Sequence, residues 1–268
     1  MFSSLKSALT IALSVLCICP SQHAYSASTI PVEVFEIENK IFGNRTLFVS
    51  KDTVKVMITR DQVVIQSKAP YSEVVIFNNR SRMIHRNNAA KSISDIRAIG
   101  EMLSDFNGIQ IIWRPHGKQV LQGVPCNVYL AEIIHEKNRN NQADTGDWRK
   151  YWTRIDVGNT SKAQGEIISA ACGSPAIPGI PQRLEYFGAE TDFNVSFLAR
   201  SNIDSKKKIL RVLQSTKSYK HVDLPANTFA IPTDYKFKKD ITKVLLPGNS
   251  RSSLKDMKMS PDFLFETK

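Results

Sequence analysis

The residue types that most often perform catalysis do not form a recognisable constellation in this sequence. His85, His116, His135 and His221 are far apart along the chain. His135 and the glutamate after it lack the second histidine of a zinc-protease helix. The chain has neither a Gly-x-Ser-x-Gly elbow nor a glycine loop that could bind phosphates. We therefore predict no catalytic residues, no metal ligands and no cofactor. An exported enzyme ranks third, after the two non-enzymatic hypotheses that close this subsection.

The N-terminus has the composition of a cleavable signal peptide. Lys6 supplies its only charge, and the run Ala8–Ile18 is almost entirely apolar. Ala24 and Ser26 then place small residues three positions and one position before a cleavage site. The alternative of a membrane anchor is weaker, because an apolar run of this length falls short of the roughly 20 residues that cross a bilayer. We predict that residues 1–26 are a signal peptide and that the protein is periplasmic or secreted.

Four cysteines are present, and their positions limit what they can do. Cys17 and Cys19 lie in the predicted leader. A lipoprotein signal needs a small residue directly before its cysteine, and a bulky apolar residue precedes each of these two, so a lipoprotein is the weaker alternative. Cys126 and Cys172 remain after processing. Two cysteines in an oxidising compartment predict one disulfide. Two buried free thiols are the alternative interpretation.

The charge balance restricts the class of partner. The formal net charge is +11 at pH 7, which favours attraction to anionic lipids, lipopolysaccharide or acidic polymers of a cell envelope. A nucleic-acid partner is not predicted, because its usual signature is basic residues clustered with aromatic residues on one face, and the densest basic run here has no aromatic neighbours. The densest basic run, residues 206–208, opens a predicted strand and is typical of a solvated face.

The periodicity of the chain predicts a mainly β protein. Between Pro31 and Arg86, short apolar segments alternate with turn residues, and Val54, Val56 and Ile58 recur with the period of two that a half-buried strand requires. The segments between strands are too short for a parallel crossover, so the sheet is antiparallel. Further strands are predicted at Ile109–Trp113, Val124–His135, Tyr151–Val157, Arg183–Phe187, Asp192–Ala199 and Lys207–Thr216.

One amphipathic helix interrupts the strands, and a second is shorter. Ser92 is the predicted N-cap of the first helix, which ends at Gly108. Its single apolar stripe must lie against the sheet or cover something apolar; the stripe contains Ile93, Ile96, Ile99, Leu103 and Phe106. The second helix is predicted from Ser161 to Ala171. No linker divides the chain, which predicts a single domain over residues 27–240 and a poorly ordered basic tail over residues 241–268.

Three local patterns resemble a known group of exported proteins. They are the strand Gly123-x-x-Cys126-x-x-Tyr129, the turn Pro178–Pro181 followed by Arg183-Leu184, and the closing run Phe229, Ile231-Pro232 and Tyr235. The chain resembles exported proteins of unknown function that share the half-barrel of the periplasmic lipoprotein carriers (the LolA/LolB type). The resemblance implies a curved antiparallel sheet, open as a half-barrel, with one or two helices on its concave face and an apolar cavity for acyl chains.

In a half-barrel, the apolar stripe of the first helix would face the concave side of the sheet and help to enclose a cavity for a ligand. A strongly curved open sheet is too wide for its own side chains to fill, so helices or a ligand must complete it. The predicted cavity residues are Ile93, Ile96, Ile99, Leu103, Trp113 and Trp152. For the tryptophans, ordinary core packing is the alternative interpretation.

The leading hypothesis is an exported envelope protein that binds a lipid or another apolar or lipidated ligand in a half-barrel cavity. Its rival is a structural or interaction module that binds an anionic envelope component through its basic surface. The sequence does not determine the ligand or the oligomeric state.

Overall fold

The computed structural model describes residues 28–103, 109–135, 148–157, 160–189 and 208–246. Twelve strands occur in these ranges: β1 (Thr29–Asn39), β2 (Arg45–Val49), β3 (Thr53–Ile58), β4 (Val63–Lys68), β5 (Glu73–Asn78), β6 (Met83–Asn88), β7 (Ile109–Leu121), β8 (Val124–His135), β9 (Trp148–Arg154), β10 (Ile180–Ala189), β11 (Lys208–Pro225) and β12 (Lys236–Phe237). The helices are α1 (Ala89–Leu103), α2 (Lys162–Ala171) and α3 (Thr242–Leu245).

All twelve strands belong to one sheet, in the order β12-β6-β5-β4-β3-β2-β1-β11-β10-β9-β8-β7. Two meanders, β1 to β6 and β7 to β11, meet where the long strands β1 and β11 pair. Every neighbouring pair is antiparallel except β12 with β6. The predicted fold class is therefore confirmed: the protein is mainly β, and its large open sheet is consistent with the predicted half-barrel.

The main core lies between β1–β6 and the three helices. Ile167 and Ile168 of α2 and Val244 of α3 pack in one cluster with strand residues such as Phe35 and Leu47. Burying each side chain of this size is worth about 1.5–3 kcal/mol relative to leaving it in water. The helices thus lie on one face of the sheet, which we call the helix-bearing face.

The starts of the two longer helices are set by polar side chains. The Asn88 Oδ1 atom accepts a hydrogen bond of 2.8 Å from the Lys91 backbone N–H, so α1 begins before Ser92. The predicted cap at Ser92 is wrong; this residue is buried inside the helix. Helix α2 begins as predicted, because Ser161 and Gln164 form a reciprocal capping box.

The C-terminal strap, residues 226–246, crosses the opposite face of the sheet and then returns to the core. The Gln66 Nε2 atom donates to the Phe229 carbonyl at 2.8 Å, and Tyr235 packs against the cluster formed by β4, β5 and β6. After β12, the strap places Ile241 and Val244 in the main core. Ile241 is only 7 % exposed and therefore belongs to the folded domain, although the predicted tail begins at this residue.

The predicted disulfide between Cys126 and Cys172 is not formed, and both residues are free, buried thiols. Cys126 packs with Val128 and Trp152, whereas Cys172 lies in the main core after α2. An even cysteine count indicates that a pairing is possible, but the fold assigns the two residues to separate clusters. The alternative interpretation of two buried thiols describes this structure.

Several predictions concern residues outside the described ranges. These are the signal peptide over residues 1–26, the strand at residues 192–199, the end of the first helix at Gly108 and the tail beyond residue 246. Within the described ranges, no helix is long and apolar enough to cross a membrane.

Candidate ligand-binding site

The helix-bearing face continues from β1 across the second half of the sheet. Asn39 lies two residues after Ile37 and therefore on the same face, where its Nδ2 atom donates to the Cys172 carbonyl at 3.2 Å. Cross-strand partners share a face, so the pairing register traces it from Asn39 onwards. The successive partners on β11, β10, β9 and β8 are Gln214, Leu184, Tyr151 and Tyr129.

Large aromatic side chains occupy this part of the face. Tyr151 and Tyr186 are buried, and Trp113 and Tyr129 pack against them while remaining partly exposed. The Tyr151 ring centroid lies 6.0 Å from that of Trp113, edge to face, and 6.5 Å from that of Tyr129. We call these four residues the aromatic cluster. It provides a partly accessible apolar surface next to a closed core.

A second set of cross-strand partners brings arginines onto the same face. Arg149 precedes Tyr151 by two residues, and its partners in the register are Ala131 on β8 and Tyr186 on β10. Trp113 is paired with Ala131, and Arg211 with Tyr186. We call this line across five strands the arginine row: Trp113, Ala131, Arg149, Tyr186 and Arg211.

Arg149 is a buried cation next to an aromatic ring. It is 7 % exposed, and its Cζ atom lies 5.7 Å from the centroid of the Tyr186 ring. Such a contact is worth about 0.5–2 kcal/mol. Burial lowers the pKa of Arg149 to about 10, because desolvation disfavours the charged form. Burial also raises the pKa of Tyr151, so this phenol is neutral at physiological pH.

Polar groups connect the site with the helices. The Arg97 Nη2 atom of α1 donates to the Ser169 Oγ atom of α2 at 2.7 Å, and burial lowers the pKa of Arg97. The Ser174 Oγ atom donates to the Gln214 Oε1 atom at 3.0 Å. The buried Gln214 Nε2 atom has no hydrogen-bond partner among the described residues. A buried amide donor in this state costs about 1–3 kcal/mol.

The predicted cavity residues do not come together in one place. Ile93, Ile96 and Ile99 are partly buried and pack against the main core. Leu103 is the last residue of α1, and its side chain lies outside the described part of the structure. Trp113 belongs to the aromatic cluster. The described part of the apolar stripe, Ile93, Ile96 and Ile99, therefore lies against the main core, whereas Trp113 belongs to a different cluster.

Trp152 lies on the face opposite Trp113. It is 4 % exposed, packs with Cys126 and Val128, and is in register with Val128 and Arg183. The alternation of side chains along a strand explains this, since Tyr151 precedes Trp152 and points to the other face.

Sequence reasoning did not assign five aromatic and arginine residues of the site: Tyr129, Arg149, Tyr151, Tyr186 and Arg211. The spacing of Arg149 and Tyr151 by two residues indicates that they share a face of a strand. The pairing with β10 and β11, which adds Tyr186 and Arg211, is not visible in any local pattern.

The opposite face has a charged pocket with a volume of about 380 Å³. Glu38, Lys40, Arg183 and Lys217 contribute to its lining. The Lys217 Nζ atom lies 2.6 Å from the Glu38 Oε2 atom, and this hydrogen bond and charge lower the pKa of Glu38. Arg183 is paired with Glu185 at 2.7 Å. Among the described residues, no group of three or more histidines, cysteines and carboxylates is placed to hold a metal ion.

No protein-family model and no curated protein matches the chain. Among solved structures, an uncharacterized conserved protein from Thermus thermophilus is 10% identical, covers 78% of this chain and 90% of its own, and has a TM-score of 0.36. The Mycobacterium tuberculosis lipoprotein LppX is 12% identical, covers 70% of this chain and 86% of its own, and has a TM-score of 0.25. At these TM-scores neither likeness carries an argument about function.

Proposed function

We propose that this protein is exported and binds an apolar or lipidated ligand on the helix-bearing face of β7–β11, without transforming it. The observation that carries the proposal is the aromatic cluster. Its members Trp113 and Tyr129 remain partly exposed although they pack against the buried Tyr151. Sites for apolar ligands are lined mainly by aromatic and aliphatic side chains with a few polar groups. This face has that composition.

The distribution of the helices supports the same location. Helix α1 contacts β5 and β6, α2 contacts β3 and β10, and α3 contacts β5 and β6. Their apolar side chains complete the core over the first half of the sheet. On β7 to β10, the aromatic cluster occupies the same face. A ligand bound there would cover the apolar side chains of β7–β10, as the helices cover those of β1–β6.

Binding of 1-N-phenylnaphthylamine, an uncharged apolar fluorescent probe, to protein recovered from the envelope tests the proposal. We expect saturable binding. Trp113→Ala and Tyr129→Ala should each weaken it about tenfold, which corresponds to about 1.4 kcal/mol. The control is Trp152→Phe, on the opposite face, which should bind the probe as the parent does. Absence of saturable binding, or equal binding by all variants, would refute the proposal.

Export is a separate part of the proposal and has its own test. The sequence of the leader supports processing after Ser26. Intact-mass analysis of the same preparation should find a chain that starts at or near Ala27. A dominant species that retains residues 1–26 would contradict export by a cleaved signal peptide.

The second candidate function is binding of an anionic envelope component, and the charged pocket favours it. Lys40, Arg183 and Lys217 line the pocket together with one acid, Glu38. Glu38 forms an ion pair with Lys217, and Glu185 forms one with Arg183, so the attraction of the pocket for an anion is reduced. Sedimentation with vesicles of phosphatidylglycerol tests this function. Binding that is lost in Lys40→Gln and retained in Trp113→Ala would favour it over the first candidate.

A further inference from the structure

We infer that the protein binds the surface of an anionic lipid bilayer through the edge of the sheet that β12 forms. This surface consists of one exposed aromatic ring and the lysines around it. We call it the lysine edge: Lys236, Phe237, Lys238, Lys239 and Lys243. It is separate from the proposed ligand site on β7–β11, because β12 and β7 are at opposite ends of the strand order.

Phe237 distinguishes this edge from an ordinary charged surface. The residue is 59 % exposed, although one lysine precedes it and two lysines follow it. Its ring is stacked with the His85 ring, with the centroids 6.5 Å apart and the planes inclined by 10°. The rest of the phenylalanine surface is in water, where it favours an apolar partner.

The charges of the C-terminal strap are predominantly positive. Residues 226–246 include four lysines and two aspartates. Asp234 is paired with Arg82. The Asp240 Oδ1 atom accepts a hydrogen bond of 2.9 Å from the Thr242 backbone N–H at the start of α3. None of the four lysines forms an ion pair with a described residue, so their charge complements an anionic partner.

The backbone of the lysine edge is held by β6. The Lys236 N–H donates to the Arg82 carbonyl at 2.9 Å. The Lys238 N–H donates to the Ile84 carbonyl at 2.8 Å, and the Lys238 carbonyl accepts from the His85 Nδ1 atom at 2.9 Å. A surface that is ordered before binding loses less conformational entropy when it binds.

Lysines on an outer strand have a simpler role, which is to prevent the edge from pairing with another chain. That role requires the charges and not the aromatic ring. An exposed ring among cations is typical of surfaces that lie on anionic bilayers, where the ring enters the head-group region and the ammonium groups approach the lipid phosphates. Phe237 therefore favours a lipid surface over a soluble anionic polymer, which offers no apolar layer.

Sedimentation of the full exported protein with vesicles tests the inference. We expect binding to mixed vesicles of phosphatidylcholine and phosphatidylglycerol, and about tenfold weaker binding to phosphatidylcholine alone. Added salt should weaken the binding, because it screens the attraction between exposed lysines and head groups. Equal binding to the two kinds of vesicle, or binding to neither, would overturn the inference.

The variants assign the binding to the lysine edge. Phe237→Ala should weaken binding to the mixed vesicles about tenfold. Lys236→Gln and Lys239→Gln should each weaken it about fivefold, which corresponds to about 1 kcal/mol per lysine. Lys118→Gln on the other edge strand, β7, is the matched control and should bind as the parent does. All four side chains are exposed, so the variants should fold as the parent does.

The Phe237→Trp variant shows whether the ring enters the bilayer. Brominated phosphatidylcholine in the mixed vesicles quenches indole fluorescence at short range. We expect Phe237→Trp to be quenched more than the parent. Leu210→Trp on β11, where the natural side chain is 55 % exposed, should not be. Vesicle binding without additional quenching of Phe237→Trp would overturn the inference.

The same assay separates the lysine edge from the other two surfaces. Vesicle binding that is lost in Lys40→Gln and retained in Phe237→Ala would assign it to the charged pocket and overturn the inference. Vesicle binding that is lost only in Trp113→Ala would assign it to the proposed ligand site, with the same consequence. Phe237→Ala should bind 1-N-phenylnaphthylamine as the parent does, so failure of this inference leaves the proposed function intact.

Discussion

Tyr151 and Trp152 are consecutive residues of β9, and their side chains lie in separate clusters on opposite faces of the sheet. Tyr151 contacts Trp113 and Tyr129 of the aromatic cluster. Trp152 packs with Val128 and Cys126, and its Nε1 atom donates to the Gln119 Oε1 atom at 3.4 Å. One peptide bond therefore separates the proposed ligand site from a closed apolar cluster.

This relationship predicts which tryptophan reports ligand binding. Trp113 belongs to the proposed ligand site. Binding of dodecanol, which is not fluorescent, should therefore change the fluorescence emission of Trp113. We expect Trp113→Phe to lose the ligand-induced change. Trp152→Phe should keep it. Equal loss in both variants would mean that binding alters the whole sheet and would contradict a site on one face.

The two thiols should be unreactive in the native protein. Burial raises the pKa of Cys126 to about 11 and that of Cys172 to about 12, so neither forms the thiolate near neutral pH. We expect iodoacetamide to modify both cysteines only after denaturation. Peptide mapping without reductant should recover them unlinked. A linked pair of Cys126 and Cys172 peptides in protein recovered from the envelope would contradict this structure.

The same thiols predict a loss of stability at alkaline pH. The ordinary pKa of a thiol is 9.0, and the folded-state value of Cys172 is about 12. Between these values the unfolded chain has released the proton and the native protein retains it. The free energy of unfolding should therefore fall as pH rises, by about 1.4 kcal/mol per pH unit for a fully buried group. Urea unfolding between pH 8 and pH 11 measures the slope, which should be smaller in Cys172→Ala.

Two helical glycines should respond in opposite directions to alanine. A Cβ atom at Gly165 of α2 would lie 2.8 Å from the Gly179 backbone N and from the Pro178 Cβ atom. At Gly100 of α1 the nearest atom would be the Phe42 Cζ atom at 3.7 Å, an ordinary contact. We expect Gly100→Ala to stabilise the protein by up to about 1 kcal/mol. Gly165→Ala should destabilise it by about 1–3 kcal/mol.

Thermal melts of the two glycine variants check this pair. Since both substitutions raise helix propensity equally, the difference between them isolates the close approach of α2 to the Pro178-Gly179 turn. A stabilising Gly165→Ala would show that the turn moves away freely, contrary to the packing described above.

The C-terminal strap should contribute to stability through Ile241. This side chain is 7 % exposed and packs in the main core, so Ile241→Ala should cost about 2–5 kcal/mol. The neighbouring Lys243 is exposed, and Lys243→Ala is the control with an expected change within about 0.5 kcal/mol. Equal unfolding midpoints in urea for the two variants would show that the strap is not part of the cooperative core.

Much of the local structure was predictable because it depends on neighbours along the chain. The alternation of Val54, Val56 and Ile58 is a property of one strand, and all three positions lie in β3. The Ser161 cap and Gln164 form a contact within one helical turn, so the start of α2 is correct. The cap of α1 was misassigned to Ser92, because several polar residues near Asn88 compete for the same role.

Strand β11 shows where local information ends. The predicted strand stops at Thr216, where the polar residues Lys217 and Ser218 follow. The observed strand continues to Pro225, because β1 is paired with β11 from Gln214 to Pro225. A backbone ladder does not depend on side-chain polarity, and no pattern within β11 indicates the length of its partner.

The amino-acid sequence is enough to predict the mainly β class, the antiparallel pairing of consecutive strands, and the helices that could cover one face. Three features are visible only in the folded chain: Cys126 and Cys172 lie in separate clusters, Ile241 belongs to the core, and Arg149, Tyr186 and Arg211 form one line. The reason is physical: periodicity shows which side chains share a face of one strand. Which strands become neighbours depends on long-range pairing, here the pairing of β1 with β11 that joins the two meanders.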